Sequence, residues 1–304
     1  MNSDALRESS FVNHESLGDP RSTIHAPRST NRSSFIELRK AWAYLKKEWL
    51  IQASYKFAFL LSLFGMCTSI AAYFFIDRMF GRRVTPDLAP FGASYFAYAL
   101  VGNAFFAYIG TALGGVSGRL AMEQSLGTLE AVLVTPTKLW VLIGVMAAWN
   151  TLYASMQVVL YGLVGGVGFG VDFSRANWVS VLGIMGLVVV SFNSIGLLEA
   201  ACVLVFKRGA VVAWALNGVW ALLGGVLFPV TVLPVWLQRV AAWIPITHAI
   251  RGLQLAMYQG TPLTRLAREC AVLGGFCVVL VPLGWWSWQW ALRRAKIDGS
   301  LAQY

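Results

Sequence analysis

The sequence predicts an all-α membrane protein with six transmembrane helices, and two observations carry this prediction. Of its 304 residues, 57% are hydrophobic and only 12% are charged, whereas soluble domains carry roughly a quarter charged residues. Apolar stretches of about 20 residues, the length of a helix that crosses a bilayer, recur along the chain. The four cysteines and the scattered glycines exclude disulfide-rich, solenoid and collagen-like architectures.

The chain begins with a polar segment that we expect to be a disordered tail. Residues 1–34 hold four arginines and four acids among Ser, Thr, Asn and Pro, which is too little apolar content to fold alone. The segment has no apolar core before a small-residue cleavage site, so we do not expect a signal peptide.

Residues 35–55 are predicted to form an amphipathic helix that lies in the lipid headgroup layer. Apolar residues recur along it at helical spacing: Phe35, Leu38, Trp42, Leu45 and Trp49. Basic residues occupy the rest of the helical wheel, where they would meet anionic lipid while the tryptophans embed in the interface. A helix packed against the rest of the protein is the alternative.

A membrane domain follows over residues 56–292. We expect spans at about 56–76, 93–116, 139–168, 178–206, 210–228 and 267–292. Sixteen Lys and Arg residues fall in segments on the N-terminal side of the membrane and eight on the other side. Because basic residues concentrate in cytoplasmic loops, both ends of the chain, including a C-terminal tail at 293–304, are predicted to be cytoplasmic in an inner (cytoplasmic) cell membrane.

The sequence carries no motif for catalysis by this chain. It lacks the phosphate-binding loop G-x-x-x-x-G-K-[ST] and the metal-binding spacings H-E-x-x-H and C-x-x-C. Its three histidines are His14, His25 and His248, too few for a metal centre. The spans offer neither paired acids nor a Ser-His pair for an intramembrane protease. We therefore expect no enzyme, no metal and no cofactor bound by this chain.

Polar side chains within the predicted spans are Asn150, Gln157, Asn193 and Glu199, and burial in hydrocarbon costs free energy unless they are paired. Asn150 and Gln157 are seven residues apart, on one helix face. Glu199 lies eight residues before Lys207, so we expect it near the middle of the membrane. An interhelical hydrogen bond is the structural explanation of Glu199, and a proton-relay or substrate role is the functional one.

The segment 117–138, between the second and third spans, combines acids with leucines. Glu123 and Glu130 are seven residues apart, so they share a face if the segment is helical, and Pro136 would end that helix. From the residues alone, a surface helix held by a cytosolic partner and a solvated loop both remain open.

The run E-Q-S-L-G-T-L-E-A-V-L-V-T-P-T in this segment resembles the coupling segment of ABC type-2 permeases, the membrane halves of ATP-driven exporters. In that family the acid and a G-T-L-E-x-L-L-x-T-P core form a coupling helix that docks into the ATPase. Val132 stands where leucine is commoner. The resemblance implies ATPase-coupling roles for Glu123, Gln124, Gly127, Thr128, Leu129, Glu130, Thr135 and Pro136.

A later stretch, residues 224–248, is apolar but interrupted by prolines. It resembles the family's G-x-x-F-P-x-x-x-L-P-x-W-L-Q … P-L-T-H stretch, which forms two short re-entrant helices on the outer side, here at about 229–252. Broken helix at membrane depth is tolerated where protein or water surrounds it. The family often carries an arginine some residues after this stretch. Its counterpart here is Arg251, which comes earlier in the chain than expected, and Gln254 lies further on. The resemblance implies an outer gate of Phe228, Pro229, Leu233, Pro234, Pro245 and His248.

The resemblance covers about residues 35–292 and implies a dimer of permeases above two ATPase subunits, which bind ATP and Mg. In such folds the second and fifth spans line the central path. The candidate path residues are Tyr98, Asn103, Phe106, Tyr108, Trp214, Asn217 and Trp220. Packing against lipid or neighbouring helices is the alternative for each of them.

The resemblance therefore implies the permease subunit of an ATP-driven exporter that moves a hydrophobic or amphipathic substrate, such as a drug-like molecule, a lipid or a lipid-linked glycan, out of the cytoplasm. Its partners would be two copies of an ABC ATPase, a second permease chain in a homodimer, and the lipid bilayer, with no nucleic acid. The alternatives are a polysaccharide-exporting permease, an ion-gradient carrier, for which internal symmetry is expected, and a membrane scaffold or receptor without transport of its own.

Overall fold

The computed structural model describes residues 30–79, 86–125, 139–206 and 217–297, and the regular elements in these ranges are helices. In chain order they are α1 (Thr30–Ser54), α2 (Lys56–Met79), α3 (Tyr95–Ser125), α4 (Leu139–Leu163), α5 (Trp178–Phe206), α6 (217–223), α7 (Val235–Ala241), α8 (Pro245–Tyr258) and α9 (Ala267–Ile297). Short 3-10 turns occupy Ala89–Phe91 and Val230–Val232, and a π-helical turn at Val164–Gly168 continues α4.

In the described ranges, five helices are long and apolar enough to cross a membrane. These candidate spans are Lys56–Met79, Tyr95–Arg119, Ile143–Gly168, Trp178–Leu204 and Ala267–Arg294. They correspond to the predicted first, second, third, fourth and last spans. Much of the predicted fifth span, at 210–216, lies outside the described residues, so the total of six stays a prediction.

The described part of the predicted fifth span ends earlier than expected. Helix α6 stops after residue 223 at a turn through Gly224 and Gly225. Gly225 has a φ of 69°, a left-handed conformation that glycine adopts without a Cβ clash. Phe228, the predicted end of the span, therefore lies in the irregular segment after the helix.

Helix α3 continues beyond the predicted end of the second span at Val116 and reaches Ser125. Several of the added residues, among them Arg119, Leu120 and Ala121, are strong helix formers. The segment predicted as a separate coupling helix therefore begins as the last turns of α3. Residues 126–138, which hold the rest of that segment, lie outside the described ranges.

Helix α3 lies at the centre of the bundle, where α4, α5 and α8 pack along it, while α5 packs in turn along α9. Helix α5 approaches α3 closely at Gly196, where a Cβ atom would lie 2.7 Å from the Leu113 carbonyl oxygen. The main hydrophobic core lies at these contacts and includes the fully buried Tyr108 and Phe192. Side chains of α2 such as Phe57 are exposed, as expected for a helix that faces lipid.

Different helices lie at the two ends of the bundle. At the α1 end, α1 lies beside the first half of α4, with the rings of Trp49 and Trp149 edge to face at 6.4 Å between centroids. The last turns of α3, α5 and α9 lie at this end. At the α8 end, α7 and α8 lie by the first turns of α3, α5 and α9, and the Asn177 amide donates to the Ala256 carbonyl oxygen at 3.0 Å.

Candidate functional site

A group of polar side chains at the α1 end joins three helices. Arg119 of α3 forms an ion pair with Glu48 of α1, and its Nε donates to Oδ1 of Asn150 on α4 at 3.3 Å. Tyr44 of α1 lies close enough to interact electrostatically with both members of the ion pair. We call Tyr44, Glu48, Arg119 and Asn150 the α1-end cluster.

The electrostatics of the α1-end cluster favour a charged pair beside a neutral phenol. Burial, and then the negative charge of Glu48, raises the pKa of Tyr44 above its usual value, while the Arg119 guanidinium opposes this shift. Tyr44 therefore stays protonated beside Glu48. The Glu48 side chain is only 7% exposed, and the Arg119 guanidinium and, at 4.0 Å, Nζ of Lys47 compensate its charge, as a buried carboxylate requires.

The α1-end cluster flanks the segment that resembles an ATPase-coupling segment. Arg119 lies six residues before Ser125, where α3 ends, and Asn150 lies on the helix that begins at Leu139 after that segment. Of the predicted coupling residues, two lie in the last turn of α3 and the others lie outside the described residues. Those in α3 are Glu123 and Gln124, and those outside are Gly127, Thr128, Leu129, Glu130, Thr135 and Pro136.

Glu199 lies on α5 and faces the Ser117 side chain of α3. The candidate spans of α5 and α3 end at Leu204 and Arg119. Glu199 lies five residues before Leu204, and Ser117 lies two residues before Arg119. Five residues of helix rise about 8 Å, so Glu199 lies about 8 Å from this end of its candidate span, and its depth in the bilayer stays a prediction. Among the described residues the structure shows no ion pair to Glu199, and its polar neighbour on the adjacent helix is Ser117.

Two of the other polar residues of the spans, Asn150 and Asn193, have incomplete hydrogen bonding within the described part of the chain. Nδ2 of Asn150 and Oδ1 of Asn193 are buried without a partner, although Nδ2 of Asn193 donates to the Val189 carbonyl oxygen at 2.8 Å. Gln157 lines a cavity of about 130 Å³ between α2, α3 and α4, together with Tyr153 and Tyr161.

The predicted path residues are engaged in contacts between helices of this one chain. Asn103 donates through Nδ2 to the Tyr161 hydroxyl at 3.1 Å, and the Trp220 ring meets the Phe192 ring edge-on at 5.9 Å. Tyr108 lies in the main core, Phe106 packs against that core, and Asn217 is half-buried. Trp214 lies outside the described residues. A lining role for these residues stays a prediction.

A cavity of about 240 Å³ lies at the α8 end, between the start of α3, the turn after α6, and helices α7 and α8. We call it the α8-end cavity. Its floor consists of the buried residues Phe91, Tyr98, Gly224, Gly225, Pro229, Thr247, His248 and Gln254, and its exposed rim includes Asp87, Pro90, Thr231, Ala242, Arg251 and Arg268.

Hydrogen bonds hold most of the polar floor in place. The Tyr98 hydroxyl donates to the Gly225 carbonyl oxygen at 2.7 Å, and the Thr247 hydroxyl donates to that of Leu223 at 3.0 Å. Nε2 of Gln254 donates to the Tyr98 carbonyl oxygen at 3.3 Å, but its Oε1 has no partner among the described residues. The floor therefore carries one buried acceptor that is free.

Local sequence features bring the turn after α6 onto α3. A Cβ atom at position 102 would lie 2.1 Å from the Val226 carbonyl oxygen, so Gly102 is required for this close approach. Pro245 occupies the first turn of α8, where its missing amide hydrogen costs no helical bond. Nε2 of Gln238 donates to the carbonyl oxygens of Thr231 at 3.0 Å and Leu233 at 2.8 Å, which closes the turn before α7.

The predicted gate residues occupy both the cavity and its surroundings. Pro229 and His248 line the α8-end cavity, and Nε2 of His248 lies 3.0 Å from the Ala242 carbonyl oxygen. Pro245 is buried, Phe228 and Leu233 are half-buried, and Pro234 is exposed before α7. The two predicted short helices are thus present as α7 and α8, whereas their entry into the bilayer and their gating role stay predictions.

Several residues of both sites were absent from the sequence-based predictions, among them Tyr44, Glu48, Arg119, Asp87 and Arg268. The sequence offered a signal for Arg119, because it is the one Lys or Arg between Arg83 and Lys138 and stands at the end of an apolar span.

In the described ranges no group of three or more His, Cys, Asp or Glu side chains is placed to hold a metal ion.

Comparison with known proteins identifies the family. A family model described as ABC-2 type transporter matches residues 39–258, which include the α1-end cluster and most of the α8-end cavity. Nodulation protein J of Rhizobium leguminosarum bv. viciae is 27% identical over 228 residues, covering 72% of this chain and 78% of that protein. The family is that of a membrane component of a transporter, and this chain belongs to the ABC-2 type transporter family.

Proposed function

We propose that this chain is the permease subunit of an ATP-driven exporter. The family match over residues 39–258 carries the proposal, because membership implies an ATPase partner and a dimeric arrangement. The run E-Q-S-L-G-T-L-E at 123–130 is the proposed docking segment for that ATPase. The partner subunit would hold ATP and Mg, since the chain carries no phosphate-binding loop.

The proposed assembly has two copies of this chain and two ATPase subunits, with the α1 end in the cytoplasm of the cell. The excess of Lys and Arg in segments on this side, sixteen against eight, supports the orientation. Trp42 and Trp49 of α1 are exposed, which supports a helix whose tryptophans lie in the headgroup layer.

The proposed mechanism couples ATP-driven closure of the ATPase dimer to movement of the spans. The docking segment joins α3 to α4, and the α1-end cluster ties both of these helices to α1 through Arg119. A displacement of the segment would therefore move three helices together. A difference of a few kcal/mol in binding between two states is enough to shift such an equilibrium.

The proposed substrate is hydrophobic or amphipathic, and polysaccharide is the second class. A panel of lipids, glycans and drug-like molecules, tested for stimulation of ATPase activity in liposomes, would separate the two classes.

The coupling assignment is tested with the reconstituted permease and its ATPase subunit. The double substitution Glu123→Ala and Glu130→Ala should lower permease-dependent ATPase activity at least about fivefold, as expected for a coupling free energy of roughly 1–3 kcal/mol. Asp172→Ala removes a carboxylate from the exposed loop before α5, at the opposite end, and should leave the activity unchanged. Full activity of the double variant in an intact complex, or transport driven by an ion gradient without ATP, would contradict the proposal.

A further inference from the structure

The α8-end cavity has a free hydrogen-bond acceptor at its floor. Gln254 is 0% exposed, its Nε2 is engaged by the Tyr98 carbonyl oxygen, and its Oε1 has no partner in the described part of the chain. A buried polar atom left without a hydrogen bond costs about 1–3 kcal/mol. The floor therefore favours a ligand or water that presents an O–H or N–H donor to this oxygen.

The rim above this floor is positively charged. Among the lining residues, Arg251 and Arg268 face a single acid, Asp87, whose Oδ1 already accepts from the Thr231 hydroxyl at 2.9 Å. Nε of Arg251 lies 3.8 Å from Oε1 of Glu269, a loose contact that leaves guanidinium donors available. An anion with hydroxyl groups matches both features, because arginine donors bind its charge and its hydroxyl can donate to Gln254.

The surroundings of the cavity place its mouth at the level of lipid headgroups. Trp236 and Trp243, on and just after α7, are 65% and 82% exposed, and exposed tryptophans at the ends of spans lie in the interfacial layer of a bilayer. Gln238 of the same helix lines the cavity. Arg268 stands one residue after the start of the candidate span at Ala267, which is again the depth of the interface.

We infer that the α8-end cavity binds the headgroup of an anionic, hydroxyl-bearing membrane lipid of the phosphatidylglycerol type. The lipid phosphate lies between Arg251 and Arg268, and a headgroup hydroxyl donates to Oε1 of Gln254. The volume of about 240 Å³ is below the roughly 300–1,000 Å³ of pockets for drug-sized ligands, so it suits one headgroup whose acyl chains remain in the bilayer. This binding does not depend on the proposed ATP-driven transport.

The experiment measures thermal unfolding of the purified full chain in neutral detergent, with three additives: phosphatidylglycerol, phosphatidylcholine with the same acyl chains, and soluble glycerol phosphate. Phosphatidylglycerol should raise the Tm, since a ligand that binds the folded state stabilises it, and phosphatidylcholine should raise it much less. Arg268→Gln and Gln254→Leu should each weaken apparent phosphatidylglycerol affinity about tenfold, a loss of about 1.4 kcal/mol. Arg265→Gln is the matched control, because it removes an exposed arginine three residues away that does not line the cavity.

Each outcome decides the assignment. Equal stabilisation by the two lipids, or an unchanged response of Arg268→Gln to phosphatidylglycerol, overturns it. Arg268 is exposed, so this variant remains informative if Gln254→Leu does not fold. If glycerol phosphate competes with phosphatidylglycerol, the headgroup alone is recognised. If phosphatidylglycerol raises the Tm and glycerol phosphate does not compete with it, the intact lipid is required for binding. If glycerol phosphate raises the Tm and phosphatidylglycerol does not, the occupant is not a lipid and the assignment is wrong.

Discussion

The two ends of the bundle arrange their charged groups in opposite ways. At the α1 end, Arg119 and Glu48 form an ion pair between two helices, and Asn150 accepts a hydrogen bond from Arg119. The charged groups are therefore occupied by contacts within the protein. At the α8 end, Arg251 and Arg268 are exposed on a rim above the free acceptor of Gln254. The first arrangement holds helices together, and the second leaves groups available to a ligand. Substitutions at Arg119, Gly102 and Glu199 test this distinction, beginning with the largest expected effect.

Arg119→Met should destabilise the protein more than a substitution at Gly102 or Glu199. It leaves the Glu48 carboxylate, 7% exposed, with only the long 4.0 Å ion-pair contact to Nζ of the exposed Lys47 in the described part of the chain, and removal of one partner from a buried ion pair costs about 3–5 kcal/mol. The measurement is the free energy of unfolding in mixed detergent micelles. Lys46→Gln, which removes an exposed cation from the same helix as Glu48, should change it by less than about 0.5 kcal/mol.

The double variant Glu48→Leu with Arg119→Met should recover part of this loss, because it removes both charges. If the single variant Arg119→Met unfolds like the wild type, the α1-end cluster does not hold the helices together and the distinction between the two ends fails.

Gly102→Ala should have an intermediate effect, centred on the α8 end. The added Cβ would lie 2.1 Å from the Val226 carbonyl oxygen and 3.1 Å from Nε2 of Gln254, so the turn after α6 must move away from α3. Overpacking of this kind costs about 1–3 kcal/mol, and the response to phosphatidylglycerol should fall as well. Gly114→Ala on the same helix has open space around its Cβ and serves as the control in the same unfolding assay; a loss there as large as at Gly102 would argue against the close approach as the cause.

Glu199→Gln should have the smallest effect on stability, below about 1 kcal/mol, because an amide can keep a polar contact with Ser117 and hydrogen bonds between membrane helices average only about 0.6 kcal/mol. Unfolding and transport are measured on the same preparation. Normal unfolding with loss of transport would indicate a functional carboxylate. Destabilisation as large as that of Arg119→Met would instead place Glu199 in a charged network like the α1-end cluster.

The amino-acid sequence by itself determined the helices and most of their boundaries. The third and fourth spans were expected to begin at about residues 139 and 178, where α4 and α5 begin. Length and hydropathy are local properties, so a run of apolar residues is sufficient to predict a span. The prolines at 229, 234 and 245 likewise excluded one continuous helix, and the family resemblance implied two short helices there, where α7 and α8 lie.

Only the tertiary structure decided which side chains meet. Glu48 and Arg119 lie 71 residues apart in the chain, and Tyr98 and Gly225 are 127 residues apart, so no local pattern joins them. Their contacts depend on how each helix is rotated and how closely it approaches its neighbour, as at Gly102 and Gly196. Apolar content favours every rotation of a helix in lipid almost equally, and close packing of small residues selects one. The sequence therefore determined that this chain forms a helical membrane bundle, and packing determined where its charges and its cavity lie.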